Sequence, residues 1–249
     1  MRPPDQQWQY AARWVLLPGT LATPEVFAPL MQALQIASHR RQVIELDKPH
    51  VNDYRAQLAD AIQPGDVVCG FSLGAITAAH NLAALSRASA IILLACTPHP
   101  DPPENRTGRN ILRDRVLAGE ARDWVAENAD AMVARPDGVM IDKIADMAEA
   151  CVHLIAAQTE LAASRPGALE AIKNTQVPIF FVTGMRDRLT PPERVRDLVE
   201  QASSATLITI DGLGHYALIE DPQKVANAIG DAVSEIEPSP FEDHLNEAS

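Results

Sequence analysis

The sequence has 249 residues, 47% of them hydrophobic and 22% charged, which is long enough for one large domain with a buried core and too apolar for a chain disordered throughout. Lysine and arginine number 21 against 33 acidic residues, and the resulting net charge of −12 repels nucleic acid and anionic membranes at long range. The 3 cysteines, Cys69, Cys96 and Cys151, show no CxxC spacing, which argues against a disulfide framework and a structural zinc site, and no run approaches the roughly 20 apolar residues of a membrane span.

Met1 to Arg13 is polar and lacks the long apolar stretch of a signal peptide, so the cytoplasm is the expected location. Trp14 to Leu17 then reads as a first strand, followed by the turn Pro18-Gly19-Thr20 and a helix over Pro24 to Leu34. A second strand is expected at Gln42 to Leu46, and a helix at Asp53 to Ile62 with Asn52 or Asp53 as its cap. After the Pro64-Gly65 turn come a strand at Asp66 to Phe71 and a long alanine-rich helix, Ser72 to Leu85. Ala90 to Ala95 is apolar on both faces, as suits the middle of a parallel sheet. The same rhythm returns late in the chain, with strands at Pro178 to Thr183 and Thr206 to Ile210 and helices at Pro192 to Gln201 and Pro222 to Ile236. Alternating strands and helices imply an α/β fold with a doubly wound, mostly parallel sheet.

Between these halves no convincing strand appears. Helical patterns run near Arg106 to Leu117, Ala121 to Ala134, Gly138 to Ala156 and Gln158 to Ala163, separated by Gly119, Pro136-Asp137-Gly138 and Pro166-Gly167. The expected organisation is therefore a core of residues 1–96 and 177–236, an inserted helical cap over 97–176, and a polar tail over 237–249.

Gly70-Phe71-Ser72-Leu73-Gly74 matches G-x-S-x-G between a buried strand and a helix, the context in which a serine stands exposed on a tight strand-to-helix turn. Its flanking glycines keep the turn free of collisions, and the helix N-terminus favours developing negative charge. A serine hydroxyl needs a base. Of the 7 histidines, His215 in Gly212-Leu213-Gly214-His215 follows the last strand, at the same sheet edge as Ser72; His99, after an earlier strand, is the runner-up. The imidazole needs a carboxylate to set its tautomer. Asp187, directly after the strand that ends at Thr183, gives the chain order Ser, Asp, His, while Asp101 after the preceding strand is its rival. If Asp187 is the acid, loss of the Asp101 charge should be nearly silent. The oxyanion needs backbone donors. The N–H of Leu73 is one, and the turn after the first strand supplies the other, Thr20 by preference and Leu21 as its neighbouring alternative.

With Leu16-Leu17-Pro18-Gly19-Thr20, Val182-Thr183-Gly184-Met185-Arg186-Asp187 and the two motifs around Ser72 and His215, the chain resembles the α/β-hydrolase superfamily from Trp14 to Ile236. It looks closest to small-capped bacterial carboxylic ester hydrolases of the pimeloyl-acyl-carrier-protein methyl ester esterase kind. Many relatives carry His-Gly in the oxyanion turn where this chain has Pro18-Gly19, and Pro18 has no N–H to offer. The resemblance implies hydrolysis of a small ester or thioester, free or carrier-linked, through an acyl-enzyme, without metal or organic cofactor. C–C bond hydrolysis or lyase chemistry on the same three residues, and a ligand receptor with little turnover, are the competing readings. Arg106, Arg109 and Arg113 share one face of their predicted helix at i, i+3 and i+7, a basic stripe suited to an anionic substrate if it is not an ordinary solvated face.

Overall fold

The computed structural model describes residues 13–234, so the expected tail over 237–249, the end of the closing helix and most of the N-terminal segment lie outside the described residues. Six strands form one sheet: β1 (Trp14–Leu17), β2 (Arg41–Val43), β3 (Val67–Phe71), β4 (Ala90–Leu94), β5 (Ile179–Gly184) and β6 (Ala205–Ile210). Their order is β2-β1-β3-β4-β5-β6, and every pairing is parallel. The chain runs from β1 outward to β2 and then returns to the other side of β1 as β3. That reversal opens a crevice beyond the carboxyl ends of β1 and β3, the place where open parallel sheets bind ligands.

Side chains alternate across the sheet as the strand period requires. Trp14, Leu16, Cys69, Phe71, Ile92, Leu94, Phe180 and Val182 enter one core, and Val15, Leu17, Val68, Leu93, Ile179 and Phe181 enter the other. The first core is covered by α1 (Ala28–Ala33) and later by the closing helix; the second by α2 (Arg55–Ala61) and α3 (Leu73–His80).

Between β4 and β5 lie α4 (Asn105–Leu117), α5 (Ala121–Glu127), α6 (Ala129–Met132), α7 (Gly138–Ala150), α8 (Ile155–Ser164) and α9 (Leu169–Asn174). Val116, Val125, Ile144 and Ile155 of this helical insert share the first core with Phe71 and Tyr216, whereas Ile172 of α9 joins the second. After β5 follow α10 (Glu193–Val199), then β6, α11 (Ala217–Glu220) and α12 (Pro222–Ser234). Among the described residues no helix is long and apolar enough to cross a membrane.

Several element bounds differ from the sequence pattern. The helix expected over Ser72 to Leu85 ends at His80, and Leu82–Leu85 is a 3-10 turn. At the break, Asn81 donates its side-chain amide to the Thr77 and Val51 carbonyls, offering the backbone a partner that competes with the helix. Asn128 splits the segment expected over Ala121 to Ala134 in the same way, through its side-chain bond to the Trp124 carbonyl. The pattern over Gly138 to Ala156 is interrupted at Cys151, and α8 starts afresh at Ile155. Neither Asn52 nor Asp53 caps α2; a 3-10 turn over Val51–Tyr54 leads into it from His50. β2 ends at Val43 rather than Leu46, having a neighbour on one side only. The short helices α9 and α11 were not apparent from periodicity.

Candidate active site

β3 delivers Ser72 to the crevice. Its backbone has φ 50° and ψ −113°, a strained conformation that costs about 1–3 kcal/mol in a non-glycine residue. Surrounding bonds hold it there: Ser72 N–H donates to the Leu94 carbonyl at 2.9 Å, and its own carbonyl receives Ile76 N–H at 3.0 Å to start α3. The first turn of α3 must lie against the end of β1. A Cβ on Gly74 would come within 1.9 Å of the Leu17 carbonyl oxygen, so only glycine permits the approach.

β6 leads to the loop that carries His215. This loop crosses the end of β5 closely, since a Cβ on Gly184 would fall 2.2 Å from the Leu213 oxygen, and Arg186 N–H donates to that same oxygen at 2.8 Å. His215 Nε2 stands 3.1 Å from Ser72 Oγ, and its Nδ1 stands 2.9 Å from Asp187 Oδ2. The carboxylate only accepts, so Nδ1 carries the hydrogen; Nε2 is then the acceptor for the serine O–H. Phe71 and Tyr216 flank the ring, with centroids 5.3 and 5.8 Å away.

Asp187 sits after β5 with its side chain fully buried. Thr190 Oγ1 donates to Oδ2 at 2.6 Å, and the N–H groups of Leu189 and Thr190 donate to Oδ1 at 2.9 and 2.8 Å. Burial alone would raise this carboxyl, but the His215 ring and the hydrogen bonds from His215 and Thr190 hold it below the usual carboxylate range. The site thus carries a charged acceptor behind the imidazole.

Neither the Leu73 N–H nor the Thr20 N–H has a hydrogen-bond acceptor among the described residues. The turn that holds Thr20 runs against Ser72, since a Cβ on Gly19 would meet Ser72 Cβ at 3.0 Å. Leu21, the alternative donor, is engaged: its N–H donates to Gln158 Oε1 at 3.0 Å. A cavity of about 110 Å³ adjoins this turn, lined by Pro18, Ala22, Glu45, Cys151 and Gln158 among others. A wider groove of about 350 Å³ along α10 and β6 touches none of Ser72, Asp187 and His215.

The alpha/beta hydrolase family model matches residues 14–228. The chain belongs to that family. This alpha/beta hydrolase is 26% identical over 250 residues to a pimeloyl-[acyl-carrier protein] methyl ester esterase of Xanthomonas campestris pv. campestris, covering 86% of this chain and 92% of the relative. It is 24% identical to the protein of the same name from Xylella fastidiosa, over 88% of this chain and 94% of the other. Its fold superposes on a thermophilic esterase from Thermogutta terrifontis with a TM-score of 0.76, at 19% identity and 90% coverage of each chain. Ester hydrolysis is the activity these likenesses support.

The other sequence-derived candidates of the hydrolase lie elsewhere. His99 Nε2 bonds the Arg194 carbonyl at 2.8 Å. Asp101 touches no imidazole; it binds Arg109 through both carboxylate oxygens at 2.5 and 2.7 Å, and Arg165 at 3.0 Å. Arg106 pairs with Glu160 at 2.8 Å, and Arg113 with Asp114 at 2.9 Å. The charge of the basic stripe is therefore matched arginine by arginine, at Arg106 and Arg113 on the surface and at Arg109 by the buried Asp101.

Three contributors escaped the sequence reading. Thr190 was within reach, three residues beyond Asp187 and bearing a hydroxyl. Glu220 accepts from Gly214 N–H, next to His215, and from Ala134 N–H in the insert, both at 2.9 Å. Burial raises its carboxyl above the ordinary range despite these two donors. Gln158, buried in α8, meets its partner Leu21 across 137 residues of sequence, a separation no local pattern reports.

Proposed function

We propose that the chain is a serine esterase in which Ser72 is the nucleophile, His215 the general base and acid, and Asp187 the carboxylate that orients the base. The observation that carries this reading is the unbroken line from Ser72 Oγ through His215 to Asp187, beside two uncommitted backbone N–H groups. Ser72 Oγ attacks the ester carbonyl while its proton passes to His215 Nε2. The carbonyl oxygen becomes an oxyanion facing Leu73 N–H and Thr20 N–H, where each donor is worth on the order of 3 kcal/mol in barrier. His215 then gives its proton to the departing alkoxide, which leaves as the alcohol. Water attacks the acyl-serine by the same route, yielding the carboxylic acid and free Ser72. Asp187, already ionised, stabilises the imidazolium formed in each half.

The substrate proposed is a carboxylic ester whose acyl chain is carried on a protein, the class named for the Xanthomonas and Xylella relatives. Arg106 and Arg113, with side chains 51% and 35% exposed, are two exposed basic groups of the insert that an acidic carrier or an anionic acyl chain would meet. Arg109, on the same helix, is paired with Asp101. The test joins a fluorophosphonate probe to a substrate panel. Ser72 should be labelled, Ser72→Ala should lose both labelling and turnover, and methyl esters on an acyl carrier should surpass free methyl esters in kcat/KM. Full turnover by a folded Ser72→Ala protein would refute the serine mechanism. Equal kcat/KM for free and carried esters would refute the carrier.

A further inference from the structure

We propose that Gln158 is a positioning residue for the oxyanion turn, and that through it the helical insert sets the direction of the Thr20 N–H; this rests on the esterase reading above. Two adjacent peptide planes make up the centre of the turn. Each plane is rigid, so the turn can change only at the dihedrals between them. The Gly19–Thr20 plane carries the Thr20 N–H at one edge and the Gly19 carbonyl at the other, and that carbonyl receives Ala22 N–H at 3.3 Å, a long bond. The next plane, Thr20–Leu21, carries the Leu21 N–H, which donates to Gln158 Oε1 at 3.0 Å in a fully buried setting. Leu21 itself has φ 55°, the left-handed region that a leucine avoids, so the turn would relax if nothing held it. Gln158 supplies the hold from α8.

The chemistry also fixes which way the amide faces. Only its oxygen can accept the Leu21 N–H, so the Nε2 group points elsewhere, and it has no partner among the described residues. Gln158 is 1% exposed and lines the cavity of about 110 Å³ beside Pro18 and Ala22. Without the acceptor, the Leu21 N–H would be buried and unpaired, and the Thr20–Leu21 plane would turn to find a partner. The Thr20 N–H would then leave the position that faces an oxyanion beside Ser72.

The test compares Gln158→Met, of similar length without the acceptor, with Gln158→Glu, which keeps an oxygen acceptor in either protonation state. Turnover of activated esters is measured together with hydrogen exchange of the peptide spanning the turn after β1, and melting temperature monitors folding. Gln158→Met should lower kcat by about 10- to 100-fold with KM within about threefold, the signature of a misplaced oxyanion donor. Exchange at the turn should accelerate, and Gln158→Glu should restore most of both. Unchanged kcat in Gln158→Met, or an equal loss of kcat in both variants, would overturn the proposal. Should the wild-type protein hydrolyse no ester and leave Ser72 unlabelled, the esterase reading fails. Exchange at the turn then decides separately whether Gln158 holds it, and unaltered exchange in Gln158→Met overturns that hold.

Discussion

The loops that follow β4 and β5 each bring an aspartate to the same edge of the sheet, and they do different things with it. Asp101 and Asp187 both have side chains at most 1% exposed, and both are held below the usual carboxylate range against the effect of burial. Their partners differ. Asp101 faces Arg109 and Arg165, guanidinium groups that keep their protons at any pH a protein tolerates. Asp187 faces His215, a ring that can gain and lose one, with the Ser72 hydroxyl on its far side. A buried carboxylate near an active-site edge is therefore no mark of catalysis by itself. What it neutralises decides whether it ties the chain together or helps move a proton.

The largest expected effect falls on Asp187. Asp187→Asn should lower kcat by about 10⁴-fold, because the amide can stabilise neither the Nδ1–H tautomer nor the imidazolium. Its melting temperature should change far less than that of an Asp101 variant. Comparable kcat in wild type and Asp187→Asn would erase the distinction between the two loops.

Asp101→Asn is the counterpart. Removing one member of a buried ionic cluster leaves uncompensated charge and typically costs about 3–5 kcal/mol. In a chain of this size that is roughly 6–20 °C in melting temperature, at about 2–4 °C per kcal/mol. In turnover the variant should be nearly silent, as expected if Asp187 is the acid, with kcat of the folded protein within a few-fold of wild type.

Acid titration sharpens the same contrast. Asp101 has a folded-state pKa depressed below its unfolded value, so its contribution is present above the unfolded pKa and is lost as pH falls through the folded one. Melting temperature should therefore fall on the acid side in wild type, and less steeply in Asp101→Asn. Identical acid limbs would mean that the cluster contributes no pH-linked stability.

The smallest effects belong to the exposed arginines. Arg106→Ala and Arg113→Ala break surface pairs worth about 1 kcal/mol or less, and melting temperature should barely move. If the stripe steers substrate, kcat/KM should fall for an anionic ester, less so at high salt, and stay level for a matched neutral one. Equal kcat/KM changes for both esters would return these arginines to ordinary surface.

The sheet and the line of Ser72, His215 and Asp187 were legible in the sequence for a physical reason. Strands buried on both faces read as continuous apolar runs, and a strained serine turn demands small neighbours at fixed offsets. Ser72, Asp187 and His215 all follow strands, and the alternation of strands with helices puts those ends on one edge. The missed features depend on partners that no local pattern contains. Asn81 and Asn128 end helices by side-chain bonds that hydrophobic periodicity does not register. Gln158 and Glu220 each reach across the fold to a backbone N–H. Asp101 looked like a spare acid because Arg165, which completes its cluster, stands at the far end of the insert.

The first core is continuous from the sheet into the insert; Trp14 in β1 is one of its members, and Trp124 lies in α5, the helix that contributes Val125. The two indoles are thus built-in reporters of separate regions joined by one apolar interior. Emission from Trp14 and from Trp124, isolated by replacing the other tryptophans with phenylalanine, should change at the same denaturant concentration. The insert would then melt with the sheet as a single cooperative unit rather than peel away before it.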